Sequence, residues 1–113
     1  MMKQSWKPGN MLYPVPAVMV SCIDDEGRSD IITIAWTGTV CTNPPMLYIS
    51  VRPERYSYDI IKKSGEFVVN LTTKGLTKAV DYCGTKSARD VNKWEKMNLT
   101  AEPSDFIKAP IIK

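Results

Sequence analysis

A chain of 113 residues, 43% of them hydrophobic, is the size of one domain and can bury a core without disulfides or metal. No apolar stretch approaches the roughly 20 residues of a membrane span, and residues 1–8 lack the apolar centre of a signal peptide, so a soluble, unexported protein is expected. The net charge of +3 is spread without a Lys/Arg run, which argues against nucleic acid, and the absence of histidine removes the commonest general base and zinc ligand.

Pro14 and Pro16 open an apolar run over Ala17 to Ile23 that ends at Asp24-Asp25-Glu26-Gly27, a polar turn closed by glycine. The next run, Asp30 to Thr37, is β-branched and is expected to return antiparallel to the first. Asn43-Pro44-Pro45 breaks the chain before a strand over Met46 to Arg52, in which Leu47, Ile49 and Val51 share a core face and Tyr48, Ser50 and Arg52 a polar one. Pro53 stops it. Helical spacing then runs from Tyr56 to Ser64, pairing Tyr56 with Ile60 and Ser57 with Ile61, and Gly65 caps the end.

A further strand is expected over Glu66 to Leu71, then helices from Leu76 to about Cys83 and from Arg89 to about Met97. Hairpin, strand, helix, strand and helices do not make the strict βαβ alternation of a doubly wound fold. The expected class is therefore mainly β with inserted helices, an antiparallel barrel rather than a parallel sheet, with no repeats or internal linker. Cys22, Cys41 and Cys83 lie far apart, with no C-x-x-C pair, which fits a reducing cytoplasm. A lone thiol such as Cys83 is read as a small buried hydrophobe rather than a redox centre.

Several segments in order carry a resemblance. Lys7-Pro8-Gly9-Asn10-Met11-Leu12-Tyr13-Pro14-Val15-Pro16, Ile31-Ile32-Thr33-Ile34-Ala35-Trp36-Thr37-Gly38, Asn43-Pro44-Pro45, and the stretch from Ser50-Val51-Arg52-Pro53 through Ile61 are followed by Gly65-Glu66-Phe67-Val68-Val69-Asn70-Leu71. Asp81-Tyr82-Cys83-Gly84 and Ser87-Ala88-Arg89-Asp90-Val91-Asn92-Lys93 complete the set. Together they resemble the flavin reductase-like, flavoredoxin-type family over nearly the whole chain.

That resemblance implies an FMN-binding split β-barrel, usually a homodimer with each flavin near the subunit interface, working by electron or hydride transfer. Residues 1–113 would form a single flavin reductase-like domain. Family members continue beyond the point matching Lys113 through strands that complete barrel and dimer, so an incomplete barrel, the N-terminal portion of the family's domain, is expected here.

FMN requires an anion site, hydrogen bonds for the polar ring edge, and apolar packing for the remainder. Arg52 offers bidentate charge-assisted bonds, and Ser57 lies near a helix N-terminus where free N–H groups favour an anion. Their alternatives are a solvated strand-end cation and a simple helix cap. Ser87 and Lys93 are further phosphate candidates, with a surface lysine as the alternative for Lys93.

Ile34, Ala35, Trp36 and Thr37 are the candidates for approaching the ring edge-on. Backbone donors there would stabilise reduced flavin without a titrating side chain, and core packing is the alternative for Trp36. Ser50 and Val51, beside Arg52, are further contacts, while Asn70 suits either the flavin or a backbone group in the barrel wall. No catalytic side chain is assigned. NADH or NADPH and a redox-protein partner are possible companions of an enzyme or an electron carrier respectively, although no G-x-G-x-x-G nicotinamide fingerprint is present. A structural remnant that no longer holds flavin is the third alternative.

Overall fold

The computed structural model describes residues 1–113. The apolar runs become strands β1 (Val18–Ile23) and β2 (Ser29–Ile34), paired antiparallel with Val18 opposite Ile34 and Val20 opposite Ile32. Their turn is held by the Asp24 carboxylate, which accepts the backbone N–H groups of Glu26 and Arg28 at 2.9 Å. Gly27 supplies the positive φ of 83° that the turn requires.

The returning strand is shorter than expected. It ends at Ile34, and the chain bends at Ala35 and Trp36 into β3 (Thr37–Cys41), which pairs with β4 (Met46–Ile49) in a separate hairpin. The Ser50 N–H donates to the Trp36 carbonyl at 2.9 Å, carrying the hairpin's pairing up to the bend. β4 correspondingly stops at Ile49, leaving Ser50, Val51 and Arg52 in a loop rather than in the strand. Local β propensity runs through both places; the change of sheet is a tertiary decision.

α1 (Tyr56–Ser64) has the expected limits, and Gly65 adopts the left-handed conformation with its N–H on the Ile61 carbonyl at 2.8 Å. β5 (Val68–Leu71) completes a three-stranded sheet of order β2-β1-β5. A 3₁₀ turn at Lys74–Leu76 leads into α2 (Thr77–Thr85), while the last expected helix shrinks to α3 (Lys93–Lys96). Asn92 caps α3 by accepting the Glu95 N–H, so the helix begins there and not at Arg89. The short strands β6 (Ala101–Glu102) and β7 (Ile111–Ile112) pair with each other.

Strand β1 is buried almost throughout because the sheet is covered on both faces. Val18, Val20, Ile32 and Ile34 form one cluster with Ile61, Phe67 and Val69 packed against it. Met19, Ile31, Ala79 and Cys83 form the other, beneath α2 and α3. Asn70 belongs to the wall: its Nδ2 donates to the Met19 carbonyl at 2.9 Å and its Oδ1 accepts the Ile112 N–H at 3.0 Å.

Only 16 of 113 residues are buried, so the sheets do not enclose a full barrel interior. The expected core face of β4 is only partly covered: Ile49 and Val51 pack against the first cluster, while Leu47 is 50% exposed, as are Val40, Met46 and Tyr48 nearby. The barrel is not closed, and no helix is long and apolar enough to cross a membrane.

Candidate functional site

The bend between β2 and β3 lies against the loop that follows β4, and the Trp36–Ser50 backbone bond holds them together. Between them runs a groove of about 250 Å³ whose walls include Ile34, Ala35 and Trp36 on one side and Ser50, Val51 and Arg52 on the other. Six of the expected flavin residues are thus neighbours although 13 positions separate Trp36 from Ile49, the last residue of β4. Trp36 is 45% exposed, so core packing does not account for it, and it lines the groove.

Arg55, the residue before α1, lines this groove and also an adjoining cavity of about 100 Å³. That second cavity is edged by Lys86, Ser87, Arg89 and Lys93, with Asp30 and Glu54 as its carboxylates. Four cations thus face two anions, an excess of two positive charges in a space suited to a phosphate. Arg55 is anchored by its Nη1 on the Gly84 carbonyl at 3.1 Å. Arg89 reaches the Glu54 carbonyl at 3.1 Å and stacks over the Tyr56 ring.

Two expected residues line neither space. Thr37 spends its hydroxyl on the Tyr48 carbonyl at 2.7 Å inside the hairpin. Ser57 is neither a helix cap nor exposed: it is fully buried at the second position of α1 and donates to the Asp30 carboxylate. Lys93 is not a surface lysine. Its side chain is 2% exposed, and its Nζ donates to the Ile31 carbonyl at 2.7 Å and the Cys83 carbonyl at 3.2 Å while sitting 3.2 Å from Asp30 Oδ1.

Arg52 is 79% exposed and paired with Glu54 at 2.8 Å, which leaves it at the mouth of the groove. Arg55, Lys86, Arg89 and Asp30 were not singled out from the sequence. Arg55 carries a signal, as a cation at a helix N-terminus, and Lys86 and Arg89 lie within two positions of the phosphate candidate Ser87. Asp30 carries none, since an acidic residue at a strand start reads as solvated. Burial pushes the Cys22 and Cys83 thiols up to about 11, so neither is a thiolate near neutral pH.

The model of the flavin reductase like domain family matches residues 10–113. The chain belongs to the flavin reductase-like family. Uncharacterized proteins of Archaeoglobus fulgidus and Aquifex aeolicus are 33% identical over 102 residues and 34% identical over 108, covering 90% and 91% of this chain. Among solved structures, the flavoredoxin of Desulfovibrio vulgaris (Miyazaki F) is similar at 30% identity and a TM-score of 0.89 over 98% of the chain. The flavoredoxin of Methanosarcina acetivorans is similar at 28% identity and 0.86.

This flavin reductase-like chain has the split-barrel architecture of those structures, as the order of its segments implied. It spans 55–56% of the two relatives and 61% and 59% of the two flavoredoxins.

Proposed function

We propose that this chain binds FMN, with the ring in the groove between Trp36 and Ser50 and the phosphate in the adjoining basic cavity, and serves as a flavin-dependent oxidoreductase. The observation that carries this is the meeting of the two spaces at Arg55. An aromatic, partly apolar slot and a cavity with an excess of positive charge share Ile32 and Arg55 in their walls, which suits an amphipathic ligand with one anionic end.

The residues present fit FMN. Ile34, Ala35 and Val51 give apolar contact, Trp36 an aromatic wall, and Ser50 a hydroxyl at the ring's polar edge. Arg55, Lys86, Ser87 and Arg89 supply donors for a phosphate, with Arg52 at the mouth. Bound flavin supplies hydride or electron transfer; the protein orients it and shields one face from water. With Cys22 and Cys83 protonated and buried, the redox step is assigned to the bound flavin rather than to those thiols.

The exposed apolar side chains of β3 and β4 support a second copy as the partner, hence a homodimer. NADH or NADPH is the proposed donor, with a redox protein in its place if the chain is an electron carrier, and the cytoplasm the proposed compartment. FMN titration followed by flavin fluorescence, with the visible spectrum of the purified chain, tests binding directly. Saturable quenching at one FMN per chain is expected, and a folded chain that leaves FMN free would refute it. Rapid bleaching of bound flavin by reduced nicotinamide would then mark the enzyme, and reduction only by a redox protein the carrier.

A further inference from the structure

Asp30 is 2% exposed, a position where a carboxylate is rare unless paired. Its Oδ2 accepts the Ser57 hydroxyl, and its Oδ1 lies 3.2 Å from Lys93 Nζ in an ion pair that is not aligned as a hydrogen bond. Lys93 directs aligned donors to two main-chain carbonyls instead. Beyond balancing the buried Lys93 ammonium, packing asks for no charge here: an asparagine of the same shape would still accept from Ser57, and Lys93 would keep both carbonyls but lose its counter-charge.

Both buried groups nevertheless form part of the wall of the basic cavity. A carboxylate in the wall of an anion site opposes its ligand, and so deep a charge is poorly screened by salt. We propose that Asp30 is the affinity-setting residue of this cavity: it cancels Lys93 and leaves anion attraction to Arg55, Lys86 and Arg89. This rests on the placement of the FMN phosphate given above. The consequence is a flavin held loosely enough to exchange, because weakened affinity shows mainly as faster dissociation.

Riboflavin carries the same ring and ribityl chain without the phosphate, so the ratio of riboflavin to FMN dissociation constants isolates what Asp30 acts on. A purely structural Asp30 would shift both constants together. Asp30→Asn is expected to raise that ratio by about tenfold or more and to slow FMN release in stopped-flow fluorescence. Adding Lys93→Gln restores the wild-type excess of charge and is expected to abolish the gain. An unchanged or lowered ratio in Asp30→Asn overturns the proposal.

If Asp30→Asn does not fold, the double variant decides, because it removes both buried charges and leaves no unpaired ion. A ratio within about threefold of wild type agrees with a cancelling pair, and a fall of about tenfold shows that Lys93 reaches the phosphate despite Asp30 and overturns it. Wild-type chain that binds neither flavin refutes FMN binding and this proposal with it; wild type that binds both, with a ratio insensitive to Asp30, refutes this proposal alone.

Discussion

Arg55 and Arg52 are three positions apart, carry the same charge and stand at the same groove, yet the structure assigns them different weights. Arg55 is half-buried and fixed to the Gly84 carbonyl, so little side-chain freedom remains to be lost on meeting a phosphate. Arg52 is 79% exposed and already paired with Glu54. A unit charge in contact with an anion at about 4 Å gains about 4 kcal/mol at an effective dielectric of 20, and solvent at the cavity mouth reduces this to the 1.5–3 kcal/mol range typical of hydrogen bonds to charged groups. Arg55→Ala is therefore expected to weaken FMN binding by roughly ten- to a hundredfold.

Arg52→Ala should weaken it by no more than about fivefold, because an exposed pair contributes about 0–1 kcal/mol. Riboflavin binding should change by less than about threefold in both variants, since neither arginine is assigned to the ring. Fluorescence titration of the two flavins against the two variants gives four dissociation constants. Urea unfolding of Arg55→Ala separates its lost Gly84 bond, about 1 kcal/mol of stability, from the binding effect. A larger loss in Arg52→Ala than in Arg55→Ala, or an equal loss of FMN and riboflavin in Arg55→Ala, would place the phosphate elsewhere.

Trp36→Ala removes a half-exposed ring from the groove, so FMN and riboflavin should both weaken about fivefold while the urea midpoint scarcely moves; a large stability loss would show that the ring is structural. Gly84→Ala puts a Cβ 3.2 Å from the Thr33 Cβ, and Thr33 is held by its hydroxyl on the Val80 carbonyl. Overpacking of about 1–3 kcal/mol should then outweigh a helix-propensity gain of about 1 kcal/mol, and thermal melting should occur at a lower temperature; a higher one would mean α2 lifts freely from the sheet. Iodoacetamide at pH 8 should modify Cys41 and spare the buried Cys22 and Cys83 until the chain unfolds, as mass spectrometry would show. Because folding raises the Cys22 and Cys83 thiols to about 11, the unfolded chain loses those protons first. Stability should fall as the pH rises from about 9 to 11, by about 2 kcal/mol for each thiol, and Cys83→Ala should flatten that decline in urea titrations across the range.

Much of this protein is decided locally and was legible in the sequence. The Asp24–Gly27 turn, the limits of α1 and its Gly65 cap follow from neighbouring residues acting on one another within a few positions, and the ordered family segments pointed to the split-barrel architecture. They also picked out Ile34, Ala35, Trp36, Ser50, Val51 and Arg52, which do share one groove. The tertiary structure alone decided the remainder. Whether the chain after Ile34 continues its strand or changes sheet depends on the Trp36–Ser50 pairing, and whether Ser57 caps a helix or meets a carboxylate depends on where α1 docks. Lys93 and Asp30 read as solvated charges in any local window; their burial follows from α3 closing over the edge of β2, a contact across 62 positions between Lys93 and Ile31. Local propensities act over a few residues, whereas charge burial and cavity lining are properties of elements brought together from distant parts of the chain.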